Sequence, residues 1–345
     1  MIPSYSIDIF PRLFHFKKPA GTSRGVYTER RSWYVRVASA ACPGREGWGE
    51  CAPLPQLSVD DLPDYEGVLR GICAEVARTG QVDTERWREY PSMLFGLETA
   101  LRHLERGTYA LWDTPFSRGE EGICINGLIW MGDHDAMYRQ IREKLEAGFR
   151  CVKLKIGAIG FEEELDLLRF IRRHFPAREV ELRVDANGAF APAEALDKLK
   201  RLAELDLHSI EQPIRAGQWD EMAGLTSVSP LPIAFDEELI GHCSLEAKRR
   251  LLDALHPQYI VLKPSLHGGF SGCREWIEEA EKRNVGWWIT SALESNVGLN
   301  AIAQWCATWH TRMPQGLGTG MLFTDNVPMP LEMRKDCLWY VADGD

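Results

Sequence analysis

The sequence lacks the paired spacings with which histidine and cysteine bind metals. Its nine cysteines include no Cys-x-x-Cys pair, and its nine histidines include no His-x-His or His-x-x-x-His pair. A zinc site built from imidazole or thiolate ligands is therefore poorly supported. Because the cysteine count is odd, at least one thiol has no partner within the chain. These features favour a reducing compartment, and we expect a cytoplasmic protein.

Long apolar runs and an excess of basic charge are also missing. No stretch of about 18 apolar residues occurs, so we expect no membrane span. The opening residues alternate polar and apolar side chains, unlike a signal peptide. Fifty acidic residues against forty basic ones give a net charge of -10, which argues against a non-specific nucleic-acid binder. The sequence leaves the oligomeric state open.

The distribution of apolar residues divides the 345-residue chain into three parts. Residues 1–115 combine alternating stretches, typical of antiparallel strands, with two helical patterns at 62–79 and 87–107, and they predict an α+β capping domain. From residue 122 to 323, eight short apolar runs alternate with amphipathic segments, the first run at 123–128 and the last at 316–320. Residues 324–345 form a C-terminal tail.

Strand–helix alternation in the second part predicts parallel strands, because each helical crossover returns the chain in the same direction. Eight such strands over about 200 residues are typical of a TIM-type (β/α) barrel. A doubly wound open sheet is the alternative. No Gly-x-Gly-x-x-Gly motif follows the first strand to support it.

Polar residues end six of the predicted strands, at intervals of 25 to 30 residues: Lys155, Asp185, Glu211, Asp236, Lys263 and Ser291. In a barrel these side chains would converge at one mouth, where barrel enzymes have their active sites. Each acid alone has an ordinary explanation. Asp185 precedes a turn sequence, and Asp236 could begin the acidic first turn of a helix.

Three carboxylates at one mouth would repel one another unless a cation lay between them. Oxygen ligands without histidine or cysteine favour a hard ion, Mg²⁺ first and Mn²⁺ second. Lys153 and Lys155 lie on the same side of their strand, and we expect their mutual repulsion to lower the pKa of at least one of them. Such a site could bind a small-molecule carboxylate and remove the proton from the carbon beside it.

Five motifs in this order resemble the enolase superfamily, in its muconate-lactonising-enzyme subgroup. They are Val-Lys-Leu-Lys-Ile-Gly at 152–157, Arg-Val-Asp-Ala-Asn-Gly at 183–188, Ile-Glu-Gln-Pro at 210–213, Phe-Asp-Glu-Glu at 235–238 and Leu-Lys-Pro at 262–264. The resemblance implies an α/β fold with a modified (β/α)7β barrel. It also implies that the N-terminal domain and the C-terminal tail together form a cap over that barrel.

Further motifs are similar to the o-succinylbenzoate synthase family of that subgroup. They are Ser-Arg-Gly-Val at 23–26, Trp-Gly-Glu-Cys-Ala-Pro-Leu-Pro at 48–55, Lys-Pro-Ser-Leu-His-Gly-Gly at 263–269 and Thr-Ser-Ala-Leu-Glu-Ser-Asn-Val-Gly at 290–298. This likeness implies a magnesium-dependent lyase of menaquinone biosynthesis, which dehydrates a succinyl-hydroxycyclohexadiene carboxylate.

The resemblance also implies roles for individual residues. Lys155 would be the base and then the acid, Lys153 would tune it, and Lys263 would stabilise the enolate from the opposite face. The metal ligands would be Asp185, Glu211 and Asp236, with Asn187 and Glu237 behind them. Substrate contacts are expected from Ser23, Arg24, Ser291, Ser295 and Gly318. The alternative for Ser291 and Ser295 is that they cap the following helix.

A dipeptide epimerase or an N-acylamino acid racemase is the alternative function, because it needs the same lysines. Racemising relatives often have an arginine three residues after the sixth-strand lysine, where this chain has Leu266. Dipeptide epimerases commonly have an acidic pair at the eighth strand, and residues 316–321 contain none. Both differences favour dehydration. A non-catalytic metal-binding relative is disfavoured because every charged residue of the set is present.

Overall fold

The computed structural model describes residues 5–22 and 25–341, and its first part is an antiparallel sheet covered by two helices. Strands β1 (Tyr5–Thr22), β2 (Gly25–Ser39) and β3 (Glu46–Cys51) pair in that order. Helices α1 (Tyr65–Thr79) and α2 (Pro91–Arg106) pack on the sheet. Gly47 and Gly49 of β3 allow this packing, because a Cβ at either position would overlap the backbone of α2.

A seven-stranded parallel sheet forms the second part, with its strands neighbouring one another in chain order. The strands that follow β3 are β4 (Ile123–Cys124), β5 (Gly127–Ile129), β6 (Cys151–Lys155), β7 (Glu181–Asp185), β8 (Ser209–Glu211), β9 (Ile233–Phe235), β10 (Tyr259–Leu262) and β11 (Gly286–Ile289). Strands β5 to β11 make up this sheet. The helices after these strands are α3 (His134–Glu146), α4 (Phe161–His174), α5 (Pro192–Ala203), α6 (Trp219–Val228), α7 (Leu245–Leu255), α8 (Gly269–Glu281) and α9 (Asn296–Cys306).

The eighth predicted strand is reduced to two bridges that join the ends of this sheet. Gln315 pairs with Ile125 and Gly316 pairs with Thr290, both in parallel. A side chain at position 316 would overlap that of Thr290, so only glycine permits the close approach. The prediction of a full strand from 316 to 320 is therefore wrong, whereas the modified TIM-type barrel is confirmed.

The first predicted strand of the barrel, 123–128, is divided between two sheets. Only its end enters the barrel as part of β5, because Ile123 and Cys124 of β4 pair with the C-terminal hairpin. That hairpin consists of β12 (Leu331–Arg334) and β13 (Cys337–Tyr340). It lies beside the start of β6, where Nε of Arg150 is 2.8 Å from Oδ2 of Asp336.

Before the hairpin, the chain after the barrel contacts the N-terminal domain. The backbone nitrogen of Lys17 donates to the oxygen of Leu322 over 2.8 Å, and that of Thr324 donates to the oxygen of His15 over 2.9 Å. These bonds bring β1 against the carboxyl side of the barrel. Among the described residues, none of the helices combines the length and the apolarity needed to cross a bilayer.

Candidate active site

Strand register brings the predicted polar residues together at the carboxyl ends of the barrel strands. Lys155 of β6 is paired with Asp185 of β7, and Asp185 is paired with Glu211 of β8. Side chains in register on neighbouring parallel strands lie on the same face of the sheet. One cavity is lined by these three residues together with Lys153, Asn187, Glu237 and Lys263.

Ion pairs link the lysines to the carboxylates across this cavity. Nζ of Lys153 lies 3.0 Å from Oδ2 of Asp185 and 2.5 Å from Oε2 of Glu211. Nζ of Lys155 lies 3.0 Å from the same oxygen of Asp185. On the other flank, Lys263 contacts Asp236. The carboxylates are buried, so their ionised forms are stabilised by these neighbouring ammonium groups.

The pKa of Lys153 is shifted in the direction opposite to that expected from repulsion between the two lysines. Burial disfavours the ammonium, but the carboxylates of Asp185, Glu211 and Asp236 outweigh burial and raise the pKa of Lys153. Repulsion between the two lysines therefore does not lower it. The reason is that more acids than lysines surround this group, so the field at Lys153 is negative.

The pKa values of the carboxylates are shifted in different directions. Burial opposes ionisation of Asp185, but Lys153 and Lys155 overcome it and hold the pKa of Asp185 below its usual range. Burial and the charge of Asp185 raise the pKa of Glu211 well above its ordinary value. Burial and the charge of Asp236 raise the pKa of Glu237 to about 7. The mouth thus contains more acid than its lysines can neutralise.

Three buried carboxylate oxygens at this mouth have no hydrogen-bond partner among the residues that the structure describes: Oε1 of Glu211, Oδ1 of Asp236 and Oε2 of Glu237. Within the described part of the chain, no three acidic, histidine or cysteine side chains form a ready-made metal-binding group. Lysine ammonium groups instead hold Glu211 and Asp236 by their other oxygens, and the side-chain amide of Asn187 holds Glu237 by its other oxygen. Unpaired buried carboxylate oxygens are costly, and the donor set fits a hard divalent cation.

Asn187 connects the lysine side of the cavity to the acidic side. Its backbone has a positive φ of 44°, a conformation that asparagine tolerates better than most residues. Its Oδ1 accepts a 2.7 Å hydrogen bond from Lys155, and its Nδ2 donates one of 3.0 Å to Oε1 of Glu237. Its backbone nitrogen donates to Oδ1 of Asp185. One residue therefore orients three others.

The remaining walls of the cavity are mostly neutral. Ser291 and Gly318, two of the residues expected to contact substrate, line it, and the hydroxyl of Ser291 lies 2.6 Å from that of Thr319. Sequence reasoning missed several lining residues, namely Tyr27, Leu54, Leu57, Asn126, Leu128, Trp130, Trp288, Thr290, Ala292, Leu293 and Thr319. Leu54 belongs to a motif quoted above, but its place at the barrel mouth depends on how the two domains pack.

Ser295 does not reach this cavity, which corrects its assignment as a substrate contact. It begins α9, and its hydroxyl accepts from the backbone nitrogen of Val297. The same hydroxyl donates to Oε2 of Glu50 and lies 2.6 Å from the hydroxyl of Tyr34. The alternative interpretation, a helix cap, is the correct one. Ser23 and Arg24 lie outside the described residues.

Comparisons with known proteins agree on one family. Residues 136–339 match the family model described as enolase C-terminal domain-like, and residues 22–104 match the model of the MenC N-terminal domain. The o-succinylbenzoate synthase of Desulfotalea psychrophila is 48% identical, over 92% of this chain and 94% of that protein. The o-succinylbenzoate synthase of Thermosynechococcus vestitus is 26% identical, over 88% of each chain.

Solved structures resemble this chain along almost its whole length. The crystal structure of MenC from Desulfotalea psychrophila has a TM-score of 0.82 and 41% sequence identity, over 97% of this chain and 99% of that chain. The L-Ala-D/L-Glu epimerase of Bacillus subtilis has a TM-score of 0.83 at 19% identity, over 99% of this chain and 96% of that chain. At that identity the second likeness indicates the fold alone.

Proposed function

Because the chain belongs to the o-succinylbenzoate synthase family of the enolase superfamily, we propose that it is a lyase that dehydrates succinyl-hydroxycyclohexadiene carboxylate to o-succinylbenzoate. The observation that supports this most strongly is 48% identity to a curated o-succinylbenzoate synthase along almost the whole of both chains. The product would serve menaquinone biosynthesis. A cytoplasmic location is part of the proposal.

Lys155 is the proposed proton carrier. Its Nζ removes the proton from the carbon beside the substrate carboxylate, and the resulting ammonium gives a proton to the departing hydroxyl, which leaves as water. The ring gains aromaticity in this step. Asn187 and Asp185, which accept hydrogen bonds from Lys155, orient its Nζ for both transfers.

Lys153 and Lys263 have electrostatic roles in this proposal. Lys153 lies between Asp185 and Glu211 and remains charged, in line with its raised pKa. Lys263 reaches the cavity from β10, across from β6 in the barrel. Its ammonium would stabilise the negative charge that develops on the substrate, without itself moving a proton.

Enzymes of the enolase superfamily use a divalent metal ion, and we propose Mg²⁺ here, with Mn²⁺ as a substitute. Asp185, Glu211 and Asp236 would hold it, and two of the unpaired buried oxygens belong to this set. Glu237 has the third unpaired oxygen and would lie close behind the ligands. When bound, the ion would supply positive charge for the substrate carboxylate and for the charge that develops there during proton removal.

Racemisation of dipeptides or N-acylamino acids is the alternative, and the cavity wall disfavours it. Among the described residues, the acids that line the cavity are Asp185, Glu211 and Glu237, at the ends of β7 and β8 and just after β9. The opposite wall includes Gly316, Gly318 and Thr319. Leu266 is buried in an apolar cluster beside Leu54. A substrate ammonium against that wall would lose its hydration without gaining a partner, at a cost of a few kcal/mol.

The test follows the ultraviolet absorbance of o-succinylbenzoate with and without a chelator. We expect product to form with Mg²⁺ and to stop when the metal is removed. Lys155→Ala should lower kcat by about 10²- to 10⁴-fold and abolish solvent-deuterium exchange at the acidic carbon. Lys200→Ala, which changes an exposed lysine on α5, is the control. Persistent exchange in Lys155→Ala would exclude Lys155 as the base.

A further inference from the structure

Two cysteines lie directly opposite each other where the C-terminal hairpin joins the barrel. Cys124 of β4 is the register partner of Cys337 of β13, and their sulfur atoms are 3.1 Å apart. Both are half-buried free thiols. Neither lines the catalytic cavity, so the proposed reaction gives no reason for this pairing.

The strand geometry at this pair suits a covalent bond. The ladder hydrogen bond falls on the neighbouring pair, where the backbone nitrogen of Ile125 donates to the oxygen of Asp336 over 2.8 Å. The cysteines therefore form a non-hydrogen-bonded pair, whose Cα atoms are typically about 4.5 Å apart. Disulfides span Cα separations of about 4.4 to 6.8 Å. Little backbone movement is needed to join the two sulfurs.

The surroundings of the two thiols differ, which sets the order of events. Nη2 of Arg150 lies 3.9 Å from the sulfur of Cys124, and Cys124 lines a surface cavity together with Phe116 and Cys306. Burial and the adjacent Cys124 sulfur raise the pKa of Cys337 to about 12. Cys124 is thus the accessible sulfur beside a positive charge, and we expect it to react with an oxidant first. Cys337 would then attack the sulfur of Cys124.

We propose that Cys124 and Cys337 are a redox modification site that forms a reversible disulfide with a small-molecule disulfide as oxidant. The thiolate of Cys124 attacks one sulfur of that oxidant, forms a mixed disulfide and releases one thiol. Cys337 then gives up its proton and attacks the Cys124 sulfur, so the protein disulfide forms and the second thiol leaves. Two protein thiols are oxidised, and one small disulfide is reduced to two thiols that take up two protons.

This bond would fasten the hairpin at the point where the barrel closes. Ile125, next to Cys124, pairs with Gln315 at the closure of the sheet. The cross-link would connect residues 124 and 337, and the segment between them contains nearly the whole barrel. A cross-link that closes a long loop removes the most conformational entropy from the unfolded chain. The oxidised protein should therefore unfold at a higher temperature than the reduced one, with the active site unchanged.

The experiment treats the full-length protein with oxidised glutathione or with dithiothreitol, alkylates the remaining thiols and maps the digest by mass spectrometry. We expect one peptide pair linked through Cys124 and Cys337, lighter by two hydrogens and separated by dithiothreitol. The apparent Tm should rise by a few degrees on oxidation. Cys337→Ser should lose this rise, whereas Cys42→Ser, a half-buried thiol in the N-terminal domain, should keep it.

Two results would overturn the proposal. One is a stable glutathione adduct on Cys124 without the linked peptide, which would mean that Cys337 does not attack the mixed disulfide. The other is a linked peptide whose formation leaves the Tm of the wild type unchanged. Both are read on the wild-type protein, so they do not depend on whether a cysteine variant folds, and neither depends on the dehydration reaction.

Discussion

Asn187 accepts a 2.7 Å hydrogen bond from Nζ of Lys155 and donates one of 3.0 Å to Glu237. The proposed base is therefore held by a residue whose own backbone is in the left-handed region. Few side chains adopt that conformation without strain. This arrangement places a positioning residue, rather than a second catalytic group, between the base and the acidic side of the cavity.

Asn187→Gly should lower kcat by about 10- to 100-fold and change KM less. Glycine accepts the left-handed backbone at no steric cost, so the loss would come from the missing side-chain amide, whose Oδ1 orients Nζ of Lys155 and whose Nδ2 holds Glu237. Steady-state kinetics measures both constants. Asn187→Ala is the matched variant, because it removes the same amide and adds about 1 kcal/mol of backbone strain. Wild-type kcat in the glycine variant would show that the hydrogen bond does not matter.

Asp185→Asn, Glu211→Gln and Asp236→Asn should each weaken Mg²⁺ binding by about tenfold or more and abolish activity. The reason is that each replaces a charged oxygen ligand by a neutral amide in a buried site. Titration calorimetry measures the affinity, and circular dichroism checks that the fold survives. Glu332→Gln, on the C-terminal hairpin and outside the cavity, should bind as the wild type does. Unchanged affinity in all three site variants would refute the ligand assignment.

The barrel and its charged residues could be predicted because both follow from local spacing. A strand–helix unit repeats every 25 to 30 residues, and parallel strands align their carboxyl ends. Lys155, Asp185 and Glu211 then fall in register without any further information. The eighth strand could not be predicted in this way, because Gln315 and Gly316 close the barrel with single bridges. Such bridges have no sequence pattern of strand length.

Contacts between the two domains could not be predicted from local spacing. Ser295 has the same hydroxyl as Ser291 and lies four residues later, yet Glu50 of β3 holds it away from the cavity. Nothing near position 295 indicates a partner so far away in the chain. Tyr27 and Leu57 likewise line the cavity from the N-terminal domain. Their positions depend on packing, which sequence periodicity does not describe.

A second contact between the domains should make stability depend on pH. Glu98 of α2 accepts hydrogen bonds from the backbone nitrogens of Phe270 and Ser271, at 2.6 and 3.2 Å. Burial raises the pKa of Glu98 to about 7. The folded protein therefore binds this proton more tightly than the unfolded chain. The resulting stabilisation is present below about pH 4.5 and is lost as the pH rises to about 7.

Urea denaturation between pH 5 and pH 8 measures this effect. In the wild type, the contribution of Glu98 should lower the free energy of unfolding by up to about 3 kcal/mol over that window. Glu98→Gln keeps an oxygen acceptor but does not titrate, so its stability should fall less with pH. Glu105→Gln, an exposed position on the same helix, is the control. Equal slopes in the wild type and Glu98→Gln would contradict the prediction.

The neutral wall of the cavity can be tested with a single added charge at Gly318. A Cβ at this position would lie 3.4 Å from Cδ1 of Ile125 and 3.7 Å from the oxygen of Asn126, which are ordinary contacts, so a small side chain fits. Gly318→Asp and Gly318→Asn add the same shape and differ only in charge. If the anionic succinyl arm lies against this wall, the aspartate should raise KM about 10- to 100-fold above the asparagine variant.

The ultraviolet assay gives kcat and KM for the cyclohexadiene acid, and polarimetry on N-succinyl amino acids and dipeptides measures racemisation by the same proteins. The wild type should dehydrate efficiently and racemise these compounds slowly or not at all, because the wall formed by Gly316, Gly318 and Thr319 offers no acid to an ammonium. Equal KM values in the two Gly318 variants would place the succinyl arm elsewhere in the cavity. A larger kcat/KM for any amino-acid derivative than for the cyclohexadiene acid would overturn the lyase assignment and leave the barrel and its lysines as they are.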